Sequence, residues 1–251
     1  MKKNVIYYVA MAIAVCATSC KNDKQAAQAA EAGDAVDVTE APAPAEPETQ
    51  EVSEEEMESQ GGMYNPRDIA RAWKRRVINV PGQGSDIVAL FEAFYTEWPT
   101  VEGNRIVHMT NPQLAPESDL YEEGSDIDRK NGYVESVWYE GEPLGTISAC
   151  VWKRKDGHKL FAVNFNVPMS QGKPFLCFYD FDPDRRTLTP ENSPIKQEQL
   201  NFPDQDPLWY QLPKEGKTLE VVEKADEECV ATTFYEFDGQ NLKLARRQQS
   251  F

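Results

Sequence analysis

The sequence predicts an α+β fold that is mainly β: an antiparallel β-meander of about eight or nine strands with an N-terminal helical pair. Apolar residues recur at helical spacing between residues 65 and 98, whereas short aromatic and β-branched runs follow residue 100. No helix of crossover length separates consecutive runs, so parallel βαβ units are not expected. We expect the helical pair to cover one face of the sheet with its aromatic stripe.

The two helices have recognisable start and stop residues. Asn65 can cap the first helix, and Pro66 occupies its first helical position. Ser85 is predicted to cap the second helix, and Pro99 ends it. Each helix has an apolar face, which indicates core packing rather than a ligand role. These faces are Ile69, Trp73 and Val77 in the first helix and Ile87, Leu90, Phe91, Phe94 and Trp98 in the second.

The segments after residue 100 read as strands joined by turns. Asp156-Gly157 is a strong two-residue hairpin signal, and Asp238-Gly239 has a similar role later in the chain. The predicted strands are Arg105–Met109, Tyr133–Tyr139, Thr146–Lys153, Lys159–Val167, Phe175–Phe181, Leu208–Leu212, Thr218–Glu223, Val230–Phe237 and Leu242–Ala245.

Acidic charge is concentrated near the N-terminus. The whole chain has a formal net charge of −16, and residues 21–60 hold twelve acids against Lys21 and Lys24, a net charge of −10. Residues 61–251 hold thirty acids and twenty-two bases and are only mildly acidic. This field disfavours partners that need a basic surface, so no nucleic-acid partner is expected.

The first twenty residues have the pattern of an export signal. Two lysines precede an apolar run, Val5–Val15, which is too short to span a bilayer. The run is followed by Ser19 and Cys20, and this segment resembles the lipoprotein signal peptides of Gram-negative bacteria. Ala17 departs from the leucine that this family prefers three residues before the cysteine. The alternative is an ordinary signal peptide cut elsewhere, or an uncleaved anchor.

The resemblance implies a lipid-anchored, exported protein. Residues 1–19 would be removed, and acylated Cys20 would tether the chain to the outer membrane or cell surface. The alternative is an anchor that holds the chain on the periplasmic side. Residues 20–60 contain no aromatic residue and are expected to form a disordered acidic linker with a reach of roughly 35 Å. The alternative is a solvated tail without a role. Residues 61–251 would form one globular domain, with the helical pair at 65–98 and the β-meander at 103–247.

Three cysteines lie in the predicted domain, namely Cys150, Cys177 and Cys229. All three fall in or beside predicted strands. Buried thiols are one interpretation, and one disulfide with a spare thiol is the other. The sequence cannot choose a pair, because a disulfide needs Cα atoms within about 7 Å.

No catalytic or cofactor motif is present. His108 is predicted in a strand and His158 beside a turn, and neither belongs to a metal-binding or acid–base motif. The sequence has no nucleophile elbow, P-loop or dinucleotide-binding glycine pattern. We therefore predict surface or packing roles for both histidines and no cofactor.

One acidic segment partly matches a calcium-binding loop. Asp180, Asp182, Asp184 and Glu191 have the spacing of positions 1, 3, 5 and 12 of an EF-hand loop. Arg185 stands where that loop needs glycine, so the metal prediction for these four acids is weak. A second acidic run at residues 119–128 fits no ligand template and is predicted to be a solvated loop.

Two tryptophans are the best candidates for ligand contact. Trp152 and Trp209 each border a polar, turn-prone stretch, although core packing is the common fate of such residues.

The leading functional hypothesis is a membrane-tethered, non-enzymatic envelope or surface module that binds a protein, a peptide or a glycan. The alternative is a hydrolase that acts on polysaccharide or peptidoglycan through two carboxylates. A third hypothesis is a structural lipoprotein that packs into a larger envelope assembly.

Overall fold

The computed structural model describes residues 62–115, 122–140, 142–166, 173–225 and 229–250, and confirms the predicted fold class. These residues contain three α-helices and eleven strands, and the strands form two antiparallel sheets rather than one meander. The large sheet has seven strands and the small sheet has four.

The helices all precede the main run of strands. They are α1 (Pro66–Ala72), followed by a 3-10 turn (Trp73–Arg75), then α2 (Ile87–Glu97) and α3 (Val101–Thr110). Asn65 caps α1 as predicted, because its Oδ1 accepts a hydrogen bond from the Arg67 N–H at 2.9 Å.

Three details of the helical prediction are wrong. Asp86, not Ser85, caps α2, since its Oδ1 accepts from the Ala89 N–H at 3.0 Å. Val77 is 56% exposed, because α1 ends at Ala72 and the apolar stripe does not continue. Arg105–Met109, predicted as a strand, lies in α3.

The start of α3 explains that third error. Pro99 follows α2, and Thr100 begins a new helix by accepting a hydrogen bond from the Gly103 N–H at 3.0 Å. The buried pair Ile106 and Val107 then packs one helical turn further along. Two adjacent β-branched residues fit a strand locally, but the Thr100 cap, six residues before Ile106, starts a helix.

The strands follow the predicted positions with three additions. They are β1 (Ile78–Asn79), β2 (Glu122–Asp128), β3 (Tyr133–Glu140), β4 (Glu142–Lys153), β5 (Lys159–Asn166), β6 (Phe175–Asp182), β7 (Thr187–Glu191), β8 (Trp209–Gln211), β9 (Thr218–Lys224), β10 (Val230–Phe237) and β11 (Leu242–Ser250). The additions β1, β2 and β7 lack a long apolar alternation. β2 is an acidic edge strand, and β7 contains Pro190.

The large sheet has the order β1-β7-β6-β5-β4-β3-β2, and the small sheet has the order β11-β10-β9-β8. Within each sheet, consecutive strands are mostly neighbours, as in a meander. β1 is the exception, since Ile78 pairs with Leu188 of β7 at the far edge.

The large sheet is the middle of three layers. On one side the helices pack against it, and Phe94 of α2 contacts the rings of Phe161, Phe165 and Tyr179 with centroids 6.1–6.4 Å apart. We call this the helical core. On the other side the small sheet forms the inter-sheet core with residues such as Trp152 and Phe178 of the large sheet and Leu219, Val221 and Tyr235 of the small sheet. The helical pair therefore covers one sheet face, as predicted.

Candidate functional site

The small sheet has an inner side, which faces the large sheet, and an outer face. In β8, Tyr210 packs against the inter-sheet core, so its neighbours Trp209 and Gln211 point to the opposite side. Trp209 pairs with Val222 of β9, while Tyr210 pairs with Val221, which belongs to the inter-sheet core. The register and the alternation of side chains therefore assign Trp209 to the outer face.

We define the outer face by the residues that alternate with the inner ones. It consists of Trp209 and Gln211 from β8, Glu220, Val222 and Lys224 from β9, Val230, Thr232, Phe234 and Glu236 from β10, and Lys243, Arg246 and Gln248 from β11.

Two rows of side chains cross the outer face. The first row runs Trp209, Val222, Thr232 and Gln248, and the second runs Gln211, Glu220, Phe234 and Arg246. Such cross-strand neighbours lie roughly 5 Å apart and can contact one ligand together.

Trp209 differs from the other aromatic residue of this face. Its side chain is 40% exposed, and no other large aromatic residue is exposed among the residues whose side-chain burial the structure describes, a set that leaves out Trp138 and Tyr139. Phe234 is only 7% exposed, because the guanidinium of Arg246 lies 3.8 Å from its ring centroid. The face thus presents one open indole on β8 and, two strands away on β10, one covered phenyl ring.

Two asparagines of the large sheet hold the edge of β8 that faces away from β9. The Tyr210 N–H donates to Oδ1 of Asn166 at 3.1 Å, and the Tyr210 carbonyl accepts from Nδ2 of Asn164 and of Asn166 at 2.9 and 2.8 Å. We call this contact the asparagine clamp. It satisfies the backbone of Tyr210 on the side away from β9 and fixes the strand that carries Trp209.

Trp152, the other predicted ligand residue, belongs to the core. It is 5% exposed, and its ring stacks on Phe237 of β10 with centroids 5.8 Å apart and an interplanar angle of 21°. Phe237 covers the surface that a ligand would need, so the prediction of a ligand contact at Trp152 is corrected to a packing role.

The four acids whose spacing matches a calcium-binding loop lie in surroundings that do not form such a loop. Arg154, 7% exposed, pairs with Asp180 and forms two hydrogen bonds of 2.8 and 2.7 Å with the carboxylate of Glu191. Asp182 accepts the backbone N–H groups of Asp184 and Arg185 and so shapes the turn after β6.

Nothing in these contacts favours a cation at those acids. Asp180 and Glu191 face a guanidinium, and Asp184 is exposed in the turn. Within the described ranges, no cluster of three or more His, Cys, Asp or Glu side chains is arranged to hold a metal ion. The four acids with EF-hand spacing thus lie on strand β6, in the turn that follows it and on strand β7.

The Arg154 network also joins the two sheets. Its Nε donates to the carbonyl of Gln240 in the β10–β11 turn at 2.9 Å, and the Lys155 N–H donates to the carbonyl of Gly239 at 3.0 Å. Asp156 accepts from the side chain of Gln240 at 2.8 Å. The two turns that the sequence marked as Asp-Gly hairpins therefore dock on each other.

The histidines lie in different surroundings. His108, predicted in a strand, lies in α3, and its Nδ1 is 2.9 Å from the carbonyl oxygen of Ala115. Nδ1 of His158 lies 2.7 Å from Oδ2 of Asp180, and this hydrogen bond raises the pKa of His158.

A pair of carboxylates that the sequence interpretation missed lies at the edge of the large sheet. Asp126 of β2 is directly opposite Glu135 of β3, and Lys214 pairs with Asp126. Burial raises the pKa of Glu135 most, and the negative charge of Asp126 raises it further, because both disfavour the ionised form of Glu135.

The acidic run at residues 119–128 was predicted to be a loop, and that prediction is wrong for the strand β2. Asn131-Gly132 between β2 and β3 is a hairpin signal that could have identified it. Gly132 has φ +71°, the left-handed conformation that such a turn needs.

The cysteines of the large sheet face opposite sides. Cys150 lies in the inter-sheet core and Cys177 in the helical core, so the sheet separates them and no disulfide joins them. Burial raises the pKa of both thiols. Cys229 lies after the β9 strand, where its carbonyl accepts the Ala225 N–H at 3.0 Å.

No family model, no curated protein and no solved structure matches this chain. Cys20, the signal segment and the linker at residues 20–60 lie outside the described residues. Over the described ranges, no helix has the length and apolar character needed to cross a lipid bilayer.

Proposed function

We propose that the chain is an exported lipoprotein, anchored through Cys20, whose folded part is a non-enzymatic binding module. The observation that carries the binding function is the exposed indole of Trp209 on the outer face of the small sheet. The anchor rests on the signal-like segment that ends at Ser19 and Cys20.

The surroundings of Trp209 support a binding role. A tryptophan buries a large apolar area when a partner covers it, and it is among the residues that dominate binding free energies. The asparagine clamp holds the backbone of its strand, so little order is lost when a ligand binds. The exposed indole is then a pre-positioned contact rather than a mobile side chain on a loop.

The linker suits the same function. Residues 21–60 have a net charge of −10, and a flexible coil of this length, which their composition predicts, would reach roughly 35 Å. This length lets the domain search the space above the membrane for an immobile ligand, while the anchor keeps it at the surface.

The anchor is tested by Cys20→Ser, with Cys16→Ser as the matched control. We expect wild type and Cys16→Ser to remain with membranes until detergent is added, and Cys20→Ser to be soluble. Mass spectrometry of the mature N-terminus should find acylated Cys20. Retention of residues 1–19 in the native protein would contradict the proposal.

The binding surface is tested with Trp209→Ala and the control Met109→Ala, which removes an exposed apolar side chain in α3. The probe for both variants is the full chain with Cys20→Ser, so that no acyl chain contributes to binding. It is added to cells that lack the gene. We expect Trp209→Ala to weaken cell binding about tenfold or more, as for a hot-spot residue, and Met109→Ala to leave it unchanged. Equal binding by both variants would remove the basis for the proposal.

A second function has one supporting observation, the Asp126–Glu135 pair. A carboxyl group with a raised pKa can act as the acid, and a neighbouring carboxylate can act as the base or nucleophile, as a polysaccharide or peptidoglycan hydrolase requires. Tyr133 and Ser148 lie next to Glu135 on the same side of the sheet.

This second function predicts hydrolysis of purified peptidoglycan or of a polysaccharide that Glu135→Gln and Asp126→Asn abolish. Asp184→Asn is the control and should keep full activity, because Asp184 is exposed in the turn between β6 and β7, and β4 and β5 separate those strands from β2 and β3. Absence of any released reducing ends from the wild-type protein would eliminate the hydrolase.

A further inference from the structure

We infer that the ligand of the outer face is an uncharged carbohydrate chain, an inference that rests on the proposed binding function. Four features of the described residues point to it: the groups around Trp209, the charge balance of the face, the closed edge of β8 and the width of the sheet.

The side chains around Trp209 match the two surfaces of a sugar ring. The C–H face of a pyranose packs on an aromatic ring, and its hydroxyl groups pair with planar side chains that hold two donors or acceptors. Gln211 and Gln248 offer amides, and Glu220 offers a carboxylate, in the two rows that include Trp209 or adjoin it. These groups supply both donors and acceptors, as hydroxyl groups need.

The charge of the outer face is nearly balanced. Two acids and three bases lie on it, namely Glu220, Glu236, Lys224, Lys243 and Arg246. Lys243 is also paired with Asp238 at 2.6 Å, and Arg246 is stacked on Phe234. The whole chain has a net charge of −16, but its outer face has no strong electrostatic field of either sign. Such a face suits a neutral ligand better than an acidic or basic one.

The asparagine clamp argues against a peptide at the same place. An extended peptide binds a sheet edge through free backbone groups, but Asn164 and Asn166 already occupy those of Tyr210. A ligand of Trp209 must therefore lie across the face, where it meets side chains rather than backbone.

The size of the face suits a chain of sugars. Four strands spaced about 4.8 Å apart place Gln248 roughly 14 Å from Trp209. This span is about the length of three linked pyranose rings. We therefore expect affinity to rise with oligosaccharide length up to about three residues and then to level off.

The ligand class is tested on cells that lack the gene, treated beforehand either with periodate or with proteinase K and then washed. Periodate cleaves the vicinal diols of sugars, and proteinase K removes exposed polypeptide. The probes are the full chain with Cys20→Ser, the same chain with Trp209→Ala, and the same chain with Met109→Ala as control.

We expect periodate to reduce binding of the unmodified probe and of the Met109→Ala probe to the level of the Trp209→Ala probe. Proteinase K and an increase from 50 to 500 mM NaCl should change binding less than twofold. Calorimetric titration with hexaoses that contain vicinal diols, namely cellohexaose, xylohexaose and mannohexaose, then identifies the sugar.

Two other outcomes overturn the inference in distinguishable ways. Binding that depends on Trp209 but resists periodate and is lost with protease or salt would mean a protein or charged ligand, and would leave the binding function standing. Binding that does not depend on Trp209 under any treatment would remove both the carbohydrate inference and the proposed function.

Discussion

The surroundings of Trp152 and of Trp209 form two contrasting regions of the molecule. Both tryptophans lie on strands beside polar, turn-prone stretches, and the sequence gives them equal standing. Trp152 lies on the large sheet and is covered by Phe237 in the inter-sheet core, whereas Trp209 lies on the outer face of the small sheet.

The difference shows what decides the role of an aromatic residue in a layered β fold. Phe237 comes from a strand far along the chain, and it reaches Trp152 because the β4–β5 and β10–β11 turns dock through Arg154 and Lys155. No third layer covers the outer face of the small sheet within the described residues. Long-range packing, and not the local sequence, separates a core tryptophan from an exposed one.

The largest expected effect breaks the core side of this comparison. Trp152→Ala should lower the free energy of unfolding by about 3–5 kcal/mol, because it leaves a cavity against Phe237. Trp209→Ala should lower it by less than about 1 kcal/mol, since the side chain is already partly in water. Urea unfolding of both variants checks this, and equal losses would contradict the contrast between the two residues.

The contact that joins the two turns comes next. Arg154→Met removes the partner of two carboxylates, Asp180 and Glu191, and should lower the free energy of unfolding by about 3–5 kcal/mol. Arg185→Met is the matched control, because Arg185 is exposed and its 3.6 Å pair with Asp182 should contribute at most about 1 kcal/mol. Thermal unfolding of both variants measures the effect. A similar loss in the two variants would show that the Arg154 network has no special role.

A smaller effect sharpens the role of the asparagine clamp. Asn166→Ala leaves the Tyr210 N–H without its partner and should lower the free energy of unfolding by about 1–3 kcal/mol. Amide exchange at Tyr210 should become faster, and binding through Trp209 should weaken. Thr146→Val removes another neighbour of Asn166 and should leave exchange at Tyr210 unchanged. Unchanged exchange in Asn166→Ala would mean that the clamp does not hold β8.

The smallest effect concerns pH. Its hydrogen bond to Asp180 raises the pKa of His158 above that of the unfolded chain, so protonation favours the folded state. This contribution is fully present below the unfolded pKa of about 6.5 and is lost as the pH rises through the folded pKa. Wild-type stability should therefore decline slightly above that pH, and His158→Gln should remove this part of the decline. Thermal unfolding from pH 5.5 to 8.5 measures it, and identical profiles would contradict the assignment.

Local patterns predicted much of the fold. The cap at Asn65, the apolar stripe of α2 and the Asp-Gly turns all specify structure over a few residues, and each element formed where it was expected. The missed strand β2 is an acidic edge strand, so it shows little of the apolar alternation by which strands are recognised.

Features that depend on distant contacts were not predictable. The division of one expected meander into two sheets depends on which apolar faces meet, and the sequence of each strand is compatible with either arrangement. The same holds for the site: Trp209 was among the candidates, but the asparagine clamp and the covered face of Phe234 arise from pairings between residues 166 and 210 and between 234 and 246. The carboxylate pair likewise needs the register of β2 against β3.

Oxidative footprinting of the two tryptophans tests the central claim most directly. Hydroxyl radicals are generated once in purified full-length protein and once in intact cells that display it, and mass spectrometry measures oxidation at each indole. We predict that Trp209 is oxidised in the purified protein and several-fold less in cells, while buried Trp152 stays unmodified in both. Equal oxidation of Trp209 in the two samples would contradict a ligand on the outer face of the small sheet.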